Sequence, residues 1–282
     1  MLIDTHAHLN FNAFKDDGDE IIRRCLTNHI WLINVGSQYK TSKRAVEIAK
    51  KYKEGVYAAI GLHPIHLETG LVKTKIDVEE IEFKTQEEDF DTSKYRNLAK
   101  SKRVVAVGEI GLDYYYRPKT KRRLELFKEK QRTVLCKQLD LANELNLPII
   151  FHCRMAHQDL LEILKSDSPP KFGRGQNSKL RGVVHCFTGN WEQAQKYLEM
   201  GFYLGFNGII FKLDFDEIIK KVSLDRILIE TDCPYLTPPP MTGRNEPLYV
   251  KYVAERIAKI KNLSFEEMAK ITTDNAKKLF KI

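Results

Sequence analysis

The sequence predicts an α/β fold, a (β/α)8 TIM barrel with an extra C-terminal helix. Three observations carry this expectation. Short apolar, β-branched runs recur along the chain, amphipathic stretches separate them, and there are eight such runs. Alternation of this kind marks βαβ units in a parallel sheet. Eight units fit a closed barrel better than an open sheet, and 282 residues is the size of one barrel. Residues 1–282 are therefore expected to form a single domain.

In chain order the strand runs are Leu2–His6, Ile30–Val35, Val56–Ile60, Val104–Glu109, Pro148–His152, Val183–Phe187, Phe202–Phe206 and Arg226–Glu230. The helical stretches are Asp19–Asn28, Thr41–Tyr52, Lys121–Asn146, Ala156–Lys165, Trp191–Met200 and Asp214–Val222. Glu246–Lys261 follows the eighth strand, and a last helix runs from Ser264 to Phe280. Ser264 has the chemistry of an N-cap, and Glu267 three residues on completes a capping box. Two segments read as insertions. Residues 77–91 hold eight acidic residues and one lysine, and residues 166–181 are rich in Pro, Gly, Lys and Arg. The first follows strand three and belongs to the face where a barrel builds its active site; the second precedes strand six and belongs to the opposite face.

Composition excludes several classes. With 43% hydrophobic and 30% charged residues the chain is neither disordered nor collagen-like. It has no run of about 18 uncharged apolar residues, so nothing is expected to span a membrane. An acid at position 4 is unlike a signal peptide. Five scattered cysteines without a C-x-x-C pair point to reduced thiols and a cytoplasmic setting. A net charge of +8 permits a polyanionic partner without requiring one. Nothing calls for an obligate protein partner.

The chemistry gathers at strand ends. His6 and His8 are spaced i, i+2, so in extended backbone both imidazoles reach the same side. Glu109 ends the fourth run, His152 the fifth, His185 follows Val183-Val184, and Asp232 follows the eighth. Each alone is compatible with a buried, hydrogen-bonded polar group. Together they are titratable side chains at the C-terminal ends of strands one, four, five, six and eight, where barrel active sites lie.

Four imidazoles and two carboxylates exceed the ligands of one open zinc site. They suit two divalent ions (Mg, Mn or Zn) roughly 3.5–4 Å apart with a bridging carboxylate. Strand order assigns His6, His8 and Asp232 to one ion, His152 and His185 to the other, and Glu109 to the bridge. Cys153 and Cys186 adjoin ligand positions, and alternation points both into the barrel wall.

The chain resembles the TatD-type deoxyribonucleases of the amidohydrolase-like superfamily. The matching elements are Ile3-Asp4-Thr5-His6-Ala7-His8-Leu9, Gly61-Leu62-His63-Pro64 and Gly108-Glu109-Ile110-Gly111-Leu112-Asp113. Further on come His152-Cys153-Arg154, His185-Cys186-Phe187-Thr188-Gly189, Glu230-Thr231-Asp232-Cys233-Pro234-Tyr235-Leu236 and Arg244-Asn245-Glu246-Pro247. The resemblance implies the same six metal ligands. It also implies a 3′→5′ exonuclease that releases mononucleotides from DNA, single-stranded or at 3′ ends. A D-aminoacyl-tRNA deacylase or other ester or amide hydrolase is the alternative on the same site.

In the expected mechanism a metal-bridging hydroxide attacks phosphorus. Asp232 is the expected general base, Glu109 shares the catalytic centre, and His63 and Arg154 are the expected phosphate contacts. The run Tyr114-Tyr115-Tyr116-Arg117-Pro118-Lys119 and Lys121-Arg122-Arg123 interleaves aromatic and basic residues, as a single-strand groove does.

Overall fold

Eight parallel strands form one sheet whose order follows the chain. They are β1 (Leu2–Ala7), β2 (Ile30–Val35), β3 (Val56–Ile60), β4 (Val104–Asp113), β5 (Ile149–Arg154), β6 (Gly182–Val184), β7 (Tyr203–Phe206) and β8 (Ile227–Ile229). The computed structural model describes residues 1–68, 73–74, 83–84, 87–165 and 180–282. The first and last strands meet through a parallel bridge between Ala7 and Cys233. His8 N–H donates to Cys233 O, and Asp232 N–H donates to His6 O at 2.8 Å. This nearly closed barrel is the TIM barrel the sequence predicts.

The helices are α1 (Gly18–Thr27), α2 (Tyr39–Lys50), α3 (Thr92–Leu98), α4 (Lys121–Glu144), α5 (His157–Lys165), α6 (Trp191–Glu199), α7 (Asp216–Lys221), α8 (Val250–Lys261) and α9 (Phe265–Phe280). Strands one to three and most helices lie within a few residues of their expected bounds. Helix α3 is absent from the sequence reading. It is short, and Asp91 caps it by accepting from the Ser93 and Lys94 amides. The Ser264–Glu267 capping box forms as expected, with Ser264 N–H donating to Glu267 Oε2 at 2.8 Å.

Packing separates an outer and an inner core. The outer core lies between strands and helices, where Ile22, Leu32, Ala58, Phe151, Leu204, Val253 and Ile257 are buried. The inner core fills the barrel with Ile3, Ile33, Val105, Ile150, Val183, Tyr203 and Leu228, joined by Ala276, Leu279 and Phe280 of α9. Thus α9 covers the end where the strands begin. Asn275 of α9 donates to Leu224 O and Ile227 O there. The other end, where the strands finish, is left for chemistry.

Strand β4 runs to Asp113, four residues past the expected end at Glu109. Gly111 makes this possible. It adopts φ +152°, and a Cβ there would sit 1.9 Å from His152 O. Only glycine lets β4 stay against β5 alongside His152.

The expected insertions 77–91 and 166–181 lie outside the described residues except for 83–84, 87–91 and 180–181. Glu88 N–H donates to His66 O, and both Glu88 carboxylate oxygens accept from the Tyr39 amide at the start of α2. The end of the acidic segment therefore sits against loops after β2 and β3, the expected face.

Candidate metal centre

All six side chains read from the strand ends meet at the C-terminal mouth of the barrel. His6 and His8 lie in and just beyond β1, Glu109 in β4, His152 in β5, His185 just past β6, and Asp232 just past β8. One group is His6, His8 and Asp232; another is Glu109, His152 and His185. In the first, His6 Nε2 lies 3.1 Å from His8 Nε2 and 3.8 Å from Asp232 Oδ1, and His8 Nε2 lies 3.4 Å from Asp232 Oδ1. Tetrahedral donors around an ion at 2.0–2.2 Å are separated by about 3.4 Å. The spacing therefore fits a divalent cation.

Glu109 stands between the groups. Its Oε2 lies 3.6 Å from His6 Nε2. Its Oε1 lies 2.8 Å from His152 Nδ1 and 3.4 Å from His185 Nε2. One carboxylate thus presents an oxygen to each group, the geometry a bridging ligand needs. The carboxylate is buried, which raises its pKa, but the imidazoles of His63, His185, His152 and His6 outweigh burial and hold it well below the usual range.

Hydrogen bonds fix which imidazole nitrogens face the centre. His8 Nδ1–H donates to Val35 O at 2.8 Å, which leaves a lone pair on its Nε2. His185 Nδ1–H donates to Glu230 Oε1 at 2.8 Å, so its Nε2 is the nitrogen turned to the centre and the one that a cation would meet once its proton is lost. Glu230 also accepts from the Cys186 amide and from Asn207 Nδ2. Gly205 makes room for it, since a Cβ there would meet Glu230 Oε2 at 2.5 Å. His152 turns Nδ1 to Glu109 and Nε2 to Asp113 Oδ2 at 3.1 Å. A carboxylate behind a ligating histidine is the usual orienting device at metal sites. Glu230 and Asp113 occupy those positions.

Fully buried Asp4 ties strand one to the Asp232 segment. It accepts from the His6 amide, the Thr231 amide and the Thr231 hydroxyl. Burial pushes its carboxyl up to about 8, against the pull of those three bonds.

His63 comes to the same mouth. Its Nδ1 accepts from the Ile65 amide at 3.0 Å, so the neutral ring carries its proton on Nε2, which lies 3.5 Å from Glu109 Oε1. Burial and the neighbouring His152 keep the ring neutral, its pKa well below the usual value. His63 is therefore a hydrogen-bond donor toward the centre rather than a lone-pair ligand. Arg154 ends β5 with its guanidinium 3.9 Å above the Tyr115 ring, and its Nε is 3.6 Å from Asp113 Oδ2.

Cys153 is buried in the wall as expected, whereas Cys186 is half-buried and lies at the mouth. Strand β6 ends at Val184 and Cys186 has φ +43°, so alternation no longer applies. Its sulfur groups with His185 and Asp232 instead. Burial beside Asp232 and Glu230 raises its pKa well above the usual value, keeping it a thiol.

Asp113 and Glu230 are the site residues that sequence reasoning missed. Asp113 was hidden by ending the strand at Glu109. Glu230 was taken as strand backbone beside Asp232. The signal is period two, which puts Glu109, Gly111 and Asp113 on one face of a continued strand.

The sequence pattern of the family described as "TatD related DNase" matches residues 3–281. The chain belongs to the TatD family. It is 42% identical over its full length, and the full length of the other, to an "Uncharacterized metal-dependent hydrolase YabD" of Bacillus subtilis. It is 30% identical to a "3'-5' ssDNA/RNA exonuclease TatD" of Escherichia fergusonii, covering all of this chain and 99% of that one. The crystal structure of the TatD homolog YJJV from Escherichia coli K12 superposes with a TM-score of 0.80 at 27% identity, covering 100% and 98% of the two chains. Like it, this TatD-family chain is a TIM barrel. Among its described residues no helix is long and apolar enough to cross a membrane.

Proposed function

We propose that this metal-dependent hydrolase of the TatD family cleaves phosphodiester bonds of single-stranded DNA from the 3′ end and releases mononucleotides. The observation that carries the reading is the placement of Glu109, with one carboxylate oxygen 3.6 Å from His6 and the other 2.8 Å from His152. His6, His8 and Asp232 would hold one divalent cation, His152 and His185 a second, and Glu109 would join them. Two such cations supply Lewis acidity toward a phosphoryl oxygen and lower the pKa of a bound water toward about 7.

The chain's own residues do the rest. Asp232, 16% exposed in its side chain and open to the mouth, takes the proton from the attacking water. Burial raises the Asp232 pKa, but His185, His8 and His6 outweigh that and keep it ionised, as a base must be. His63 donates its Nε2–H to a non-bridging phosphoryl oxygen, and Arg154 contacts the same group with its guanidinium. Glu230 and Asp113 hold His185 and His152 in the orientations that metal ligation would require. The E. fergusonii relative, named for single-stranded DNA and RNA exonuclease activity, supports the substrate class.

The test is digestion of 3′- and 5′-labelled single strands with Mg2+ or Mn2+. Mononucleotides should appear from the 3′ end, and EDTA should stop the reaction. Turnover of D-aminoacyl-tRNA with no nucleotide released from DNA would overturn the reading.

A further inference from the structure

Beside the proposed centre lies a surface that metal chemistry alone does not use. Asp113 and Arg154 are register partners at the ends of β4 and β5, two positions beyond Gly111 and His152. Tyr115 follows immediately, and its amide donates to Asp113 Oδ1 at 2.8 Å. Tyr115 is 57% exposed, one of the few large apolar residues left open to solvent among the described residues. The Arg154 guanidinium covers one face of the Tyr115 ring at 3.9 Å and lies 4.7 Å from the Tyr116 ring centre. Arg154 Nε and Nη2 make no hydrogen bond, the Asp113 carboxylate standing 3.6 Å from Nε, so the guanidinium keeps donors that a ligand could use.

The chain continues through Arg117, Lys119, Lys121 and Arg122 to the start of α4. All four are exposed, and none pairs with a carboxylate among the described residues. Other basic side chains nearby are neutralised: Arg123 pairs with Glu68, Lys130 with Glu87 and Arg132 with Asp159. A stack of aromatic ring and guanidinium, continued by unpaired cations, is complementary to one strand of nucleic acid. Unpaired bases have free faces, and each is followed by a phosphate. A duplex would bury the base faces that the ring needs.

We propose that Tyr115 and Arg154 form a stacking platform for a nucleobase next to the scissile phosphate. Arg117, Lys119, Lys121 and Arg122 then hold phosphates of the strand leading away from it. The partner is a single-stranded oligonucleotide several residues long, not a dinucleotide. This deepens the nuclease reading and rests on it for the position of the scissile phosphate.

Binding separates the two. Anisotropy of a fluorescent oligothymidylate of about twelve nucleotides, measured in EDTA, reads the platform without catalysis. Tyr115→Ala should weaken binding about tenfold, and Tyr115→Phe, which keeps the ring, by less than about twofold. Replacing Arg117, Lys119, Lys121 and Arg122 together by Gln should flatten the dependence of log affinity on log salt by about two to three. In turnover, the ratio of kcat/KM for the oligomer to that for thymidine 5′-(p-nitrophenyl) phosphate should fall about tenfold in Tyr115→Ala. Binding and ratio unmoved by Tyr115→Ala, or a salt slope unmoved by the fourfold variant, overturns the platform. Intact binding with neither diester cleaved overturns the nuclease reading and leaves the platform standing.

Discussion

Glu230 Oε1 sits 2.8 Å from His185 Nδ1 and fixes that ring so that Nε2 points at Glu109. The carboxylate is fully buried, and His185, Cys186 and Asn207 all donate to it. Glu230→Gln should therefore lower metal affinity at the Glu109–His152–His185 group by about 10–100-fold, with a matching loss of activity at limiting metal. Titration of the purified variant with Mn2+ checks this. Unchanged affinity would remove Glu230 from the site.

Asp232 and Glu109 play different parts. Asp232→Asn keeps an oxygen near His8 but removes the base, so kcat should fall by about 10²–10⁴ with the fold unchanged by circular dichroism. Glu109→Gln should in addition lower the number of bound ions, counted by elemental analysis after dialysis. Near-wild-type rates in either variant would contradict the assignments.

Most of this site was legible in the sequence, for a reason specific to barrels. A strand end is marked by where an apolar run meets a titratable residue, and His6, His152 and Asp232 each stand at or just past such a junction. The fourth strand misled because Gly108 and Gly111 resemble turn residues. Gly111 is instead the point where β4 and β5 approach too closely for a side chain. Asp113 was lost with that strand end. Cys186 failed differently: its placement follows from a positive φ just beyond β6, which period-two alternation cannot anticipate.

Helix α4 holds the mouth together through two buried glutamines two turns apart. Gln138 accepts from Leu62 N–H and donates to Leu62 O, and Gln131 does the same with the Asp113 backbone. Each side-chain amide thus stands in for a neighbouring strand beside His63 or beside Asp113. Gln138→Leu leaves both Leu62 groups unsatisfied and should cost about 1–3 kcal/mol per group in urea unfolding. A loss below about 0.5 kcal/mol, the range of ordinary surface changes, would show that the pairing is dispensable.

Protons and cations compete for the same nitrogens. Burial alone would lower the pKa values of His152 and His185. Asp113 and Glu109 outweigh it at His152, raised to about 9, and Glu230, Glu109 and Asp232 at His185, raised to about 10. Both values lie above that of free imidazole, so without a cation both rings hold a second proton near pH 7.5. A cation can bind only when they lose it. Metal binding at pH 7.5 should release about two protons from these rings, a number that falls toward zero as pH rises through 9 to 10. Calorimetry in two buffers of different ionisation enthalpy measures it. Zero release at pH 7.5 would contradict the ligand assignment of this pair.

Anomalous diffraction from crystals grown with Mn2+ tests the central claim most directly. Two peaks roughly 3.5–4 Å apart are expected, one among His6, His8 and Asp232, the other beside His152 and His185, with Glu109 ligating both. A single peak, or two peaks with Glu109 bound to neither, would contradict it.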